Sequence, residues 1–283
     1  MLKYKKLLIT MVLVAFLLVI SMQQQLAKNM QDNKVKMLIP LYAYPSWYQP
    51  EKYIWPDIAN AASQVSIAAI INPNNGPEKS YPNRDYSKGL QELEKAGVTI
   101  FGYVFTKYGN RPINEVKADI DLYDKYYKIH GIFLDEAASN SQQIDYYREI
   151  YQYIKTKANL KTVVLNQGTH TDEGYLMQQA TDITVIFENY SKFWPEYTPS
   201  SYLTKYPADR FSGLIHSVPD VATMKKHIDM AVNRNIGYIY VTDDSPDNPD
   251  KNPWNNLPSY WQQEIDYLKS LNLSDGKASR PGK

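Results

Sequence analysis

Along the chain, short apolar runs alternate with longer stretches whose apolar residues recur at helical spacing. The runs are VKMLIPLYAY (35–44), VSIAAIINP (65–73), VTIFGYVF (98–105), IHGIFLDEA (129–137), KTVVLNQG (161–168), DITVIFENY (182–190), RFSGLIHSV (210–218) and IGYIYVTDD (236–244). Between and after them lie PDIANAAS (56–63), YSKGLQELEKAG (86–97), INEVKADIDLYDKYYK (113–128), SQQIDYYREIYQYIKTK (141–157), TDEGYLMQQA (171–180), a Pro- and Tyr-rich stretch (191–207), DVATMKKHIDMAVNRN (220–235) and SYWQQEIDYLKSL (259–271). In the third of these, Val116, Ile120, Tyr123 and Tyr127 fall on one helical face. The runs are continuously apolar and rich in Val and Ile, as strands of a parallel sheet covered on both faces should be. Eight strand–helix units predict one α/β domain over residues 35–272, a (β/α)8 TIM barrel. An open doubly wound sheet would carry a Gly-rich phosphate turn after its first strand; here that strand ends in YAYPSWY, without glycine.

In such a barrel the chemistry sits at the C-terminal ends of the strands. Read in order, those ends carry Tyr42 and Tyr44, Asn72 and Asn74, Tyr103 and Thr106, Asp135 and Glu136, Asn166 and Gln167, Glu188 and Asn189, His216, and Asp243 and Asp244. The following loops add Trp47, Trp194 and Trp254, suited to stacking on sugar rings. Adjacent charges at the tip of an apolar strand are costly to bury, so Asp135 and Glu136 are expected at a solvated mouth. Asp135 or Glu136 on strand four can face Glu188 on strand six, the paired-carboxylate arrangement of glycoside hydrolysis. The alternative is that Asp135 and Glu136 merely cap the next helix, although Ser139 and Asn140 already supply caps. No strand end offers a Schiff-base lysine. The histidines, His130, His170, His216 and His227, are scattered, so neither a metal nor any other cofactor is expected. His227, mid-helix, reads as a surface residue.

Composition narrows the picture further. The chain has 283 residues, no cysteine and a net charge of +1, so stability must come from core burial and nucleic-acid binding has little support. The run LLITMVLVAFLLVI (7–20) behind Lys3, Lys5 and Lys6 marks residues 1–30 as a signal peptide or an N-terminal membrane anchor. The protein is therefore expected to be secreted or held on the extracellular face of the cell membrane, as a monomer. The tail 273–283 is expected to be disordered.

The ordered set IPLYAYPSWYQP, INPNNGP, AGVTIFGYVFTKYGNRP, EVKADIDLYDKYY, GIFLDE and VIFENY resembles the spherulin-4 family. The resemblance is strongest from residue 37 to about 190. It implies a (β/α)8 glycoside hydrolase acting on α-1,4-linked galactosaminogalactan or a related N-acetylgalactosamine polymer of exopolysaccharide and biofilm matrix. It also implies that Asp135, Glu136 and Glu188 are the essential acids. On that basis Asp135 is expected as nucleophile in an endo-acting, retaining enzyme, with Glu188 as general acid/base and Glu136 in a hydrogen-bond network or against a substrate amine. Burial and the nearby Asp135 charge should raise the pKa of Glu188. Substrate contacts are expected from Tyr42, Tyr44, Asn72, Asn74, Tyr103, Asn166, Asn189, Trp194, Asp243 and Asp244. The competing readings are a non-catalytic carbohydrate-binding barrel of the cell envelope and a hydrolase of another amino-sugar or galactose polymer.

Overall fold

The computed structural model describes residues 34–278, with side chains to residue 273. The expected export or anchor segment lies outside them. Eight parallel strands, β1 (Lys36–Leu41), β2 (Ile67–Ile71), β3 (Thr99–Phe105), β4 (Gly131–Asp135), β5 (Thr162–Asn166), β6 (Ile183–Tyr190), β7 (Phe211–His216) and β8 (Tyr238–Val241), close into a barrel in sequence order. The closing pair is β1 with β8, through Lys36 opposite Tyr238 and Met37 opposite Ile239. The apolar runs become strands because helices cover them outside and side chains fill the inside. β2 is buried along its whole length, and no residue of β7 is exposed. The glycine that opens β4 has a steric reason: a Cβ on Gly131 would come within 2.0 Å of the Thr162 carbonyl oxygen.

The outer layer consists of α1 (Trp55–Ala61), α2 (Arg84–Lys95), α3 (Ile113–Tyr126), α4 (Ile144–Lys155), α5 (Gly174–Met177), α6 (Val221–Asn233) and α7 (Trp261–Ala278). The face of α3 named from its spacing is buried at Val116, Ile120 and Tyr123. α5 is a single turn, shorter than the helix expected over 171–180. No α-helix forms between β6 and β7; short 3-10 turns at Ser191–Phe193, Ser201–Lys205 and Ala208–Arg210 take its place. Pro195, Pro199 and Pro207 in that stretch bar a continuous helix. α7 runs to Ala278, where the described residues end.

The missing helix corrects two sequence expectations. Trp194, expected at the mouth as a sugar platform, is fully buried. Its ring packs on Phe187 at 4.7 Å and stacks on Tyr197 at 5.7 Å, and its Nε1 donates to the His227 carbonyl at 3.1 Å. It fills the gap over β6 and β7 that a helix would otherwise cover. His227, expected on the surface, lies beneath the same segment, with Nε2 2.8 Å from Ser191 Oγ. Desolvation lowers the His227 pKa to about 4, so it is a neutral core residue.

Candidate active site

The end of β4 is clamped before it reaches the cavity. Thr106, buried just past β3, shares its hydroxyl proton between the carbonyls of Asp135 and Glu136, both at 2.9 Å. With the Thr106 proton so committed, Tyr147 of α4 donates to Thr106 Oγ1 at 2.8 Å, and it accepts from the Ala138 amide at 2.9 Å. The backbone of the next loop joins in, with Tyr108 N–H donating to the Glu136 carbonyl at 2.6 Å. Lys107 and Tyr108 both have left-handed backbone, and so does Glu136, with φ 48°. Three such non-glycine residues in contact mark a segment held in a costly conformation by its surroundings. The turn at Glu136 matters directly. Strand alternation would point Asp135 and Glu136 to opposite sides; the left-handed residue ends the alternation, and both side chains line one cavity.

That cavity, of about 400 Å³, opens at the C-terminal end of the barrel. Asp135, Glu136, Asn166, Gln167, Glu188, His216 and Trp254 form its functional wall, completed by Tyr108, Gly168, Pro246 and Pro253. Its lining includes no lysine or arginine among the described residues. Asp135 accepts from Tyr103 Oη at 2.8 Å and from Asn166 Nδ2 at 2.7 Å. The second Asn166 Nδ2 proton goes to Glu188 Oε2 at 2.5 Å. One amide nitrogen on β5 thus bridges the acids of β4 and β6. The two legs of the bridge, 2.7 and 2.5 Å, keep those carboxylate oxygens no more than about 5.2 Å apart.

Burial pushes the Glu188 pKa up to about 7, and the Asp135 charge adds to the rise; hydrogen bonds from Asn166 and Trp254 pull the other way. Glu188 is placed by the β5 and β6 ends together. Gly168 N–H donates to the Val185 carbonyl and Glu188 N–H to the Gly168 carbonyl. Gly168 has φ 63°, and a Cβ there would crowd Glu188 Cβ at 3.3 Å, so both the backbone and the space favour glycine. A register shift in β6 between Val185 and Phe187 sets the strand end against β7. Tyr42 packs edge-on against Tyr103 at 5.8 Å; burial, then the charges of Asp135 and Glu188, hold its phenol neutral, well above its ordinary range. His216 sits between Tyr190 and Trp254, and desolvation lowers its pKa to about 4, with Asp247 opposing.

The family model described as Spherulation-specific family 4 matches residues 36–268. The chain belongs to the spherulin-4 family. It is 39% identical over 252 residues to Spherulin-4 of Physarum polycephalum, across 85% of this chain and 72% of that protein. The fold is similar to that of Aspergillus clavatus Sph3 solved in complex with GalNAc, with TM-score 0.70 and 26% identity over 83% of this chain and 98% of that one. An α-amylase from Lactobacillus plantarum shares the fold alone, with TM-score 0.52 and 8% identity over 87% of this chain and 81% of that one. This spherulin-4 family chain is therefore a barrel of the glycoside-hydrolase type, and the family match extends well past residue 190.

The site expectations divide cleanly. Asp135, Glu136, Glu188 and Asn166 meet in the cavity, with Tyr103 and Tyr42 directly behind them. The remaining predicted contacts are drawn off by local partners and do not line it. Tyr44 donates to Asp85 Oδ2 at 2.7 Å. Asn72 accepts from Gly76 N–H at 2.8 Å. Asn74 is exposed and reaches Glu78, and Asn189 is exposed and accepts from Tyr190 N–H. Asp243 accepts from the Ser259 amide and hydroxyl ahead of α7. Asp244 knits its own loop through Ser245, Asn248 and Asn256. The acidic pair after β8 therefore organises a loop. Trp47 is partly exposed, but Asp85 takes its Nε1 proton and Lys88 covers its ring; Trp254 is the tryptophan that reaches the cavity. Tyr108, Gly168, Pro246 and Pro253 were not foreseen. Of these, only the glycine after Asn166 and Gln167 offered a signal, as a residue free to turn at a strand end.

Proposed function

We propose that the protein is an extracytoplasmic, endo-acting glycoside hydrolase that cleaves an α-1,4-linked, (N-acetyl)galactosamine-containing exopolysaccharide with retention of configuration. The observation that carries the reading is the Asn166 bridge. Two carboxylates whose facing oxygens are held no more than about 5.2 Å apart leave no room for the water that inverting enzymes seat across roughly 6.5–9.5 Å, and so favour the closer spacing of retaining enzymes, about 5–5.5 Å. In the first step an Asp135 oxygen forms a bond to the anomeric carbon while the bond to the leaving oxygen breaks. Glu188 supplies that oxygen with its proton. In the second step Glu188, now ionised, takes a proton from water, and the resulting hydroxide displaces Asp135. Tyr103 and Asn166 keep Asp135 aimed by donating to its two oxygens. The acceptor-rich, cation-free wall favours neutral or amine-bearing sugars over uronates. The likeness to Sph3, solved with GalNAc, supports the sugar class, and the Lys-flanked run 7–20 supports export.

The test is incubation of the purified protein with galactosamine-containing polymers at several degrees of acetylation, with product sizing and NMR of the newly formed reducing ends. Oligosaccharides released first as the α-anomer are expected. A polymer bound but left intact would return the protein to a carbohydrate-binding barrel. The pH profile is a separate check. Glu188 must be protonated to donate, so kcat/KM is expected to fall as pH rises through about 7, the value to which burial and Asp135 raise it. Activity still rising at pH 9 would remove Glu188 from the role of acid.

A further inference from the structure

His216 ends β7 on the cavity wall. Its Nδ1 lies 3.1 Å from Ser217 Oγ. Ser217 Oγ donates to Ser245 Oγ at 2.8 Å, and Ser245 Oγ donates to Asp247 Oδ2 at 3.4 Å. Tyr190 Oη holds the other Asp247 oxygen at 2.9 Å. The direction of this chain is fixed at its far end, because a carboxylate only accepts. Ser245 must therefore donate to Asp247 and Ser217 to Ser245. That leaves Ser217 Oγ a lone pair, and no proton, for the imidazole. With this arrangement His216 would carry its proton on Nδ1 and leave Nε2 bare, the tautomer that the nitrogen-15 measurement below reads directly. Ser217 itself has φ 59°, a left-handed conformation secured by its N–H donating to the Asp244 carbonyl at 2.8 Å. His227 shows the contrast: its Nε2 meets Ser191 and its Nδ1 is sealed in the core. The His216 Nε2 has no protein partner among the described residues and is not sealed away.

We propose that His216 is a specificity-determining residue of the site described above, whose Nε2 accepts a hydrogen bond from a donor group, hydroxyl or amine, on the sugar in the cavity. The inference rests on the proposed glycan substrate. Ser217, Ser245 and Asp247 act through His216 as positioning residues. Tyr190 and Trp254 flank the ring edge-on at 4.4 and 5.8 Å and keep it from rotating away. The imidazole stays neutral because its surroundings are desolvated, so it offers the same lone pair across the working pH range.

Two measurements test this. Nitrogen-15 NMR of histidine-labelled protein is expected to show His216 with a protonated Nδ1 and a bare Nε2, and Ser217→Ala is expected to shift the population toward the other tautomer. A protonated Nε2 in the wild type would overturn the proposal without any reference to turnover. The second is kinetic, on defined galactosamine oligosaccharides, acetylated and deacetylated. His216→Phe keeps a ring between Tyr190 and Trp254 but removes the acceptor; KM is expected to rise about tenfold, with a smaller change in kcat. His216→Gln restores an acceptor near the Nε2 position and is expected to recover part of that loss. An equal penalty on both oligosaccharides identifies a sugar hydroxyl as the donor, and a penalty confined to the deacetylated one identifies the amine. Titration of the Asp135→Asn protein separates the two levels of inference. No oligosaccharide binding at all sinks the proposed function and this proposal together. Binding that is unweakened by adding His216→Phe sinks this one alone.

Discussion

Asp135→Asn and Glu188→Gln are each expected to lower turnover on the polymer by at least about 10²–10⁴-fold, the range that one positioned acid or base contributes, while melting temperature stays nearly constant. Both replacements keep the shape of the side chain. In Asp135→Asn the amide oxygen can still accept from Tyr103 or Asn166, but an amide is a poor nucleophile. In Glu188→Gln the side chain keeps its planar shape but has no carboxylic proton to pass to the leaving oxygen. Because the two acids share Asn166, their effects are not independent, and the double variant should cost less than the product of the singles. An added small nucleophile such as azide should partly rescue glycosyl-enzyme breakdown or its bypass in one of the two variants, as a retaining mechanism requires. Glu136→Gln belongs to the same assay with a different signature. Its carboxylate lines the cavity and takes no hydrogen bond among the described residues, so its loss should raise KM more than it lowers kcat. Near-native turnover in folded Asp135→Asn or Glu188→Gln would refute the assignment.

Trp194→Ala is expected to be the most damaging substitution for the fold. The ring is fully buried, and it occupies the place of a helix the chain does not make between β6 and β7. Its removal leaves a cavity under Phe187 and Tyr197 and strips the His227 carbonyl of its Nε1 donor. Arg234, which lies 4.5 Å from the ring and donates to the Trp194 carbonyl at 2.8 Å, loses its cover. Large-to-small changes of this kind cost about 3–5 kcal/mol. For a domain of this size that is a fall in melting temperature on the order of 10 °C. Trp254→Ala makes the comparison, since that ring lines the cavity with Glu188 and acts on its ionisation. It should weaken oligosaccharide binding and disturb the pH profile more than it lowers the melting temperature. Equal melting of wild type and Trp194→Ala would mean that the β6–β7 segment does not depend on its tryptophan.

The barrel was legible in the sequence because its cause is local and repeated. Eight apolar runs, each bounded by polar turns and separated by helix-length segments, call for a parallel sheet covered on both faces, and the absence of a Gly-rich turn after the first run favours the closed form over an open doubly wound one. The acids were legible for a related reason. Asp135 and Glu188 stand at the end of runs that must be strands, and a charge there has no cheap place except the mouth. What the pattern could not carry was every choice made by a partner far away in the chain. Period-two alternation set Asp135 and Glu136 on opposite sides, yet Thr106, Tyr108 and Tyr147 hold Glu136 left-handed and bring both into the cavity. Trp194 and Trp254 look alike in sequence, each a tryptophan in a loop after a strand. One is drawn into the core by a missing helix and the other onto Glu188 by the loop after β8. Asp243, Asp244, Tyr44 and Asn72 follow strand ends as expected, and each has its polar atoms taken up by a nearby loop or helix start. Position along a strand determined which residues reach the rim of the barrel. Only the tertiary structure decided which of them face inward, because that depends on hydrogen bonds and packing between loops that are distant in sequence and adjacent in space.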